Sequence, residues 1–296
     1  MQDFIEQFIL YIATEKGLST NYQISMRQCL EEFLKWKQTK DAAVSAGSCE
    51  LEELTDYLSH CKSRGLAAGS IKLHAVALRV FFRYLTVQKI IPKDPTEFLD
   101  LPRIGGYLPE TLNIPEVTRL LEAVQEDNPL GKRDRAILEL LYASGLRVSE
   151  LCNARLETLS LDEGWIRVVG KGNKVRMVPV GTKACETISR YLDQERPGLV
   201  GKKTGGEIFL SVRGKKLTPA RIWQLLKEVA KRAGLETNVY PHLLRHSFAT
   251  HLLANGADLR IIQEMLGHAD IATTQVYTHV DQKQLKSVHK RFHPRG

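Results

Sequence analysis

The chain has 296 residues, 43% of them apolar, which is enough for one large or two ordinary globular domains. No apolar run approaches the roughly 18 residues of a membrane span, and the opening MQDFIEQFIL has no basic stretch ahead of its apolar residues, so neither membrane insertion nor a secretory signal is expected. The formal charge is +8, and it is unevenly placed: residues 1–105 hold 13 basic and 13 acidic residues, whereas 106–296 hold 29 and 21. A basic C-terminal part fits a polyanionic partner such as nucleic acid. The five cysteines (Cys29, Cys49, Cys61, Cys152, Cys185) are scattered and form no CxxC pair, which fits a reducing cytoplasm and argues against a disulfide framework or a zinc module.

In chain order, Phe4, Ile5, Phe8, Ile9 and Ile12 predict a helix over about 2–14. A second helix is expected from Ser19-Thr20 to about Lys37, and a third from an N-cap at Ser48 to just before Gly65. A fourth is expected over about 70–85, with Leu73, Leu78, Phe81, Phe82 and Leu85 as its apolar face. Four helices on short connections make a bundle. The stretch PKDPTEFLDLPRIGGYLPET then carries Pro92, Pro95, Pro102, Pro109 and the Gly105-Gly106 pair, so a domain boundary is placed at 105/106.

Beyond it, Asn113-Ile-Pro-Glu116 reads as a capping box opening a helix through Leu121, and 133–143 as a helix closed by Gly145. Trp165–Val169 and Val175–Val180 read as two strands joined by the turn 170–174 into a hairpin. Helices are expected near 183–194 and 218–233, then from Pro241 to about Ala254 and from a cap at Asp258 to Gly267, with a last helical segment around Tyr277. The fold class is mainly α with a small β-sheet: a helical N-terminal bundle at 1–105 and an α+β domain at 106–296.

Three clusters in the basic half carry possible chemistry. Arg147 follows a helix-ending glycine in ASGLRVSEL; read alone, it is more often a surface residue. Lys171 projects from the glycine-flanked turn GKGNK, where solubility is the ordinary explanation. More specific is PHLLRHSFATHLL, where His242 and Arg245 share a helix face near an N-terminus that favours anions. Next, LGHADIATTQVYTHV places His268 after Gly267 and Tyr277 nine residues on. Seven of nine histidines fall between 242 and 293, yet no HExxH glutamate is present and Arg245 would set a cation between would-be ligands His242 and His246. Ordinary hydrogen-bonded core histidines are the competing explanation, and no metal is expected.

The ordered set Arg147, Lys171, His242-x-x-Arg245, His268 and Tyr277 resembles the active site of the tyrosine recombinases of the phage integrase family. SGLRVSEL, GKGNKVRMVPVG, LLRHSFATHLL and LGHADIATTQVYTHV are especially similar to the bacterial Xer recombinases, and the likeness spans nearly the whole chain. The resemblance implies that 1–105 is a SAM-like, core-binding DNA-binding domain and 106–296 the catalytic domain, the two closing as a clamp on duplex DNA. It implies Tyr277 as nucleophile forming a 3′-phosphotyrosine. Arg147, Arg245 and His268 would hold the scissile phosphate, His242 would serve as base or proton relay, and Lys171 as general acid. This set is chemically coherent. Guanidiniums neutralise charge building on non-bridging oxygens, and a phenol of pKa about 10 needs activation by a base or a cationic field. Because the adduct conserves the bond energy, no cofactor is expected.

The implied partners are a double-stranded DNA recombination site, a second Xer-type recombinase or the chain itself in a tetramer exchanging strands through a Holliday junction, and a septal DNA translocase. Chromosome dimer resolution at cell division is the expected role. Alternatives are an integrase or resolvase of a mobile element, a sequence-specific DNA-binding protein without catalysis, and a type IB topoisomerase. The tail 281–296 is rich in Lys and Arg and has few apolar anchors (Leu285, Val288, Phe292), so these need another surface; packing beside its own active site and docking on a neighbouring protomer are both open, and the resemblance favours the neighbour.

Overall fold

The computed structural model describes residues 1–40, 49–101, 110–170, 175–267 and 282–296. The chain divides into two compact units, Met1–Leu108 and Pro109–Gly296. The first is built from α1 (Gln2–Thr14), α2 (Thr20–Lys40), α3 (Leu51–Ser63) and α4 (Ala68–Val87). Their apolar stripes meet in one core containing Ile5, Phe8, Phe33, Tyr57, Phe81 and Phe82. Helix α2 runs three residues past Lys37, which is buried and ion-paired with Glu53 on α3 at 2.5 Å. The N-cap of α3 is Glu50 and not Ser48, which lies outside the described residues. Part of the proline-rich stretch belongs to this core: Ile91 and Leu99 are buried in it, and the Asp94 carboxylate accepts hydrogen bonds from the backbone N–H and hydroxyl of Thr96.

The second unit begins with α5 (Ile114–Glu122), whose capping box forms as the spacing predicts: Glu116 N–H donates to Asn113 Oδ1 and Asn113 N–H to Glu116 Oε2, each at 2.8 Å. Helix α6 (Gly131–Ser144) is almost wholly buried and stops at Gly145, φ +57°. A Cβ at Gly145 would stand 2.6 Å from the Phe248 ring and 2.9 Å from Leu266, so both conformation and space require glycine there. A short α7 (Val148–Asn153) follows, then an antiparallel three-stranded sheet of β1 (Leu159–Ser160), β2 (Trp165–Val169) and β3 (Val175–Pro179) in that order. The β2–β3 pairing matches the expected hairpin, with Val168 opposite Arg176; its turn residues 171–174 lie outside the described residues. Helices α8 (Thr182–Gln194), α9 (Pro219–Arg232), α10 (Pro241–Ala254) and α11 (Leu259–Leu266) complete the layer. Thr218 caps α9, Asp258 caps α11, and α11 ends at Gly267, φ +66°. The helical segment expected around Tyr277 lies outside the described residues.

In the tail, residues Gln282–Phe292 form a helix, α12, which packs on β3 and α10 of its own unit. Leu285 is buried beside Phe248 and Leu252, and His289 and His293 are buried with their rings stacked at 4.7 Å. His289 Nε2 lies 2.7 Å from the Ala143 carbonyl, and Arg295 donates twice to Glu139, which has no exposed surface in the middle of α6. The histidines supply the anchoring surface that an apolar count misses. Deleting residues 284–296 should therefore lower the stability of the second unit by at least about 3 kcal/mol, because it exposes apolar surface and leaves Glu139 with Arg135 alone. Urea unfolding measures this; an unchanged midpoint would mean that the tail is undocked in the free protein.

Candidate active site

Arg147 stands at the N-cap of α7, two residues after the glycine that ends α6. Its backbone N–H donates to Glu150 Oε2 at 2.9 Å and its Nη1 to Glu150 Oε1 at 3.0 Å, while Nη2 reaches the Gly267 carbonyl at 3.2 Å. Arg245 comes from the first turns of α10 and is buried. Its Nη1 donates to the Gly145 carbonyl and its Nη2 to the Leu266 carbonyl, both at 2.6 Å. Burial first, and then the neighbouring Arg147 charge, bring the Arg245 pKa down to about 10, so it stays cationic at neutral pH.

Guanidiniums from two distant parts of the chain thus converge on successive carbonyls at the end of one helix. His242 lies one turn before Arg245, exposed in the first turn of α10. The structure therefore brings Arg147 and Arg245 together, with His242 on the helix that carries Arg245. Lys171, His268 and Tyr277 lie outside the described residues. In the chain, Lys171 falls between β2 and β3, and His268 directly follows the Gly267 whose carbonyl Arg147 binds.

Two residues of this network escape a reading of motifs alone. Glu150 is buried, and burial by itself would raise its pKa, but hydrogen bonds from Arg176 and Arg147 outweigh that and hold it below the usual carboxylate value. Arg176 on β3 grips both Glu150 oxygens at 2.8 Å and donates through Nε to the Met265 carbonyl at 2.8 Å. Glu150 follows Arg147 by three, the capping-box spacing, which is the one sequence signal for it. Arg176 carries no such signal, since its partners are contributed by α7 and α11.

The histidine cluster separates in the same way. His251 is buried with Nδ1 2.8 Å from the Tyr142 hydroxyl, and burial lowers its pKa. His289 is brought down to about 4 by burial. These are hydrogen-bonded core histidines, and among the described residues no group of three His, Cys, Asp or Glu side chains is placed to hold a metal ion.

Comparison with known proteins follows the same two units. Residues 110–284 match the phage integrase family and residues 5–89 the phage integrase N-terminal SAM-like domain. The chain belongs to the phage integrase family of tyrosine recombinases, enzymes that transfer DNA strands. Within it, the full-length similarity is to Xer-type members. The chain is 40% identical over 297 residues to the tyrosine recombinase XerD of Listeria innocua serovar 6a, and 41% identical over 296 residues to that of Staphylococcus aureus, covering 100% of each chain. Among solved structures, XerA recombinase is 28% identical with a TM-score of 0.51, covering 99% of this chain and 100% of that one. The Tn1549 transposon integrase in complex with circular intermediate DNA is 19% identical with a TM-score of 0.74 over 96% of this chain and 98% of that one, a likeness of fold.

Proposed function

We propose that the chain is a site-specific recombinase of chromosome dimer resolution, cutting one DNA strand per protomer through Tyr277 and rejoining it to the partner strand. The observation that carries the chemistry is the convergence of the Arg147 and Arg245 guanidiniums at the end of α11, one residue before His268 in the chain. In this reading the two guanidiniums and His268 bind the non-bridging oxygens of the scissile phosphate and offset the charge that grows there. His242 takes or relays the phenol proton as the Tyr277 oxygen attacks phosphorus. The bond to the 5′-oxygen breaks, Lys171 protonates that oxygen, and a 3′-phosphotyrosine remains. Attack by the 5′-hydroxyl of the other duplex reverses these steps and releases the tyrosine, so the phosphodiester count is conserved. Four protomers act in pairs through a Holliday junction.

The full-length similarity to proteins named XerD supports the chromosomal role over that of a mobile-element integrase. Partners in this reading are a recombination site in double-stranded DNA, a second Xer-type recombinase or a second copy of the chain, and a septal DNA translocase. The place of action is the cytoplasm; no described helix is long and apolar enough to cross a membrane.

The test is covalent trapping on nicked duplexes carrying candidate resolution sites, from which the cleaved 5′ fragment diffuses away and prevents rejoining. An adduct should accumulate, and equally fast in excess chelator, because the guanidiniums supply the charge neutralisation that many nucleases draw from metal ions. Site-specific binding without any adduct, or strict dependence on a divalent cation, would contradict the reading.

A further inference from the structure

The buried Glu150 carboxylate presents a difficulty for strand cleavage. An arginine meant to hold a phosphate stands beside a carboxylate able to neutralise it, since Arg147 Nη1 lies 3.0 Å from Glu150 Oε1. Glu150 has only 5% of its side chain exposed, so water cannot satisfy it and it needs cationic donors. A carboxylate offered one guanidinium takes it bidentately. Arg147 would then turn both its Nη groups inward and be lost to a substrate.

Arg176 prevents that pairing. Its two Nη groups occupy both Glu150 oxygens at 2.8 Å and fix the plane of the carboxylate, leaving Arg147 a single side-chain contact on one oxygen. The Arg147 side chain keeps 33% of its surface exposed, whereas that of Arg176 has 12%. With Arg245 beside them, three guanidiniums face one carboxylate, which leaves the cluster a net cation. Arg176 also ties down the last turn of α11 through the Met265 carbonyl, and its Cδ and Nη1 lie 3.1 Å from where a Cβ on Gly267 would stand. Both effects act at the point in the chain where His268 begins.

We propose that Arg176 is a positioning residue for strand cleavage: by taking up Glu150 it keeps the Arg147 guanidinium free for the scissile phosphate and fixes the end of α11. The proposal rests on the recombinase reading above. Arg176 itself touches neither the substrate nor the reacting atoms.

Two readouts separate this role from plain structural support. Full-length Arg176→Lys and Arg176→Ala, each first checked for an unchanged melting profile, are assayed in single turnover on a nicked duplex. The scissile group is either the ordinary phosphodiester or a methylphosphonate, which has no negative charge for Arg147 to neutralise. Arg176→Ala should slow adduct formation on the phosphodiester by about 100-fold, the cost of misplacing a reacting contact, with half-site affinity within about twofold of wild type, since affinity comes mainly from other phosphate contacts. On the methylphosphonate the same variant should fall within about threefold of wild type, because the charge Arg147 neutralises is missing. Arg176→Lys keeps the charge but not the bidentate grip and should lie between; it carries the test if the alanine variant fails to fold. An equal loss on both substrates would make Arg176 a general scaffold, and a loss in half-site affinity would make it a DNA contact; either overturns the proposal. No adduct from the wild-type chain would overturn the recombinase reading and this proposal with it. A normal wild-type adduct with an unaffected Arg176→Lys would overturn the proposal alone.

Discussion

Arg245→Ala should slow covalent adduct formation by about a thousandfold, the upper range for loss of one preorganised donor to a developing oxyanion. Arg245 is expected to serve two purposes. Its guanidinium is buried with 7% exposure and bonds the carbonyls of Gly145 and Leu266, so it pins the end of α6 to the end of α11. Removing it leaves two carbonyls without their donors, which should cost about 1–3 kcal/mol of stability. That loss is too small to unfold an ordinary domain and cannot account for the kinetic effect. Arg245→Lys separates the two. A lysine keeps the charge but reaches one carbonyl at most, so it should recover part of the stability while cleavage stays at least about tenfold down, because a point charge cannot replace a fork. Single-turnover trapping beside urea unfolding gives both quantities. Cleavage within tenfold of wild type in Arg245→Ala would remove Arg245 from the phosphate site.

Lys171→Ala should be the other large effect, a loss of about 100-fold to 10,000-fold on an ordinary phosphodiester, as expected for removing a general acid. The leaving 5′-oxygen is a poor leaving group unless protonated. A substrate with sulfur at the 5′-bridging position leaves as a thiolate without a proton, so on it the variant should approach the wild-type rate. Rescue by sulfur is specific to proton donation. A Lys171 that merely bound a non-bridging oxygen would leave the variant equally slow on both substrates, and the acid would have to be sought elsewhere.

Local rules made much of this fold legible. The Asn113-Ile-Pro-Glu116 box, the Gly145 and Gly267 stops, the Asp258 cap and Pro241 at the start of α10 each act within a few residues, and each is found where its local chemistry places it. What escaped depends on contacts between distant segments. Helix α7 has six residues, too few for a periodicity to register. Glu139 is a carboxylate with no exposed surface, held there because Arg135 and Arg295 meet it. His289 and His293 read as polar until α12 folds and packs them against Phe248. In the candidate site, His242 and Arg245 were legible as neighbours because one helix carries both. The link from Glu150 to Arg176 was not, since it joins residues on α7, β3 and the end of α11 that no spacing rule relates.

The central claim is that Tyr277 becomes covalently bound to the 3′ end of a cut strand. The direct measurement is to trap the protein on a nicked duplex, digest protein and DNA, and locate the nucleotide-bearing peptide by mass spectrometry. The account predicts a phosphodiester on Tyr277 in the peptide that follows His268, and no adduct from Tyr277→Phe, which keeps the ring and lacks only the attacking oxygen. An adduct on any other residue, or an undiminished adduct from Tyr277→Phe, would contradict it.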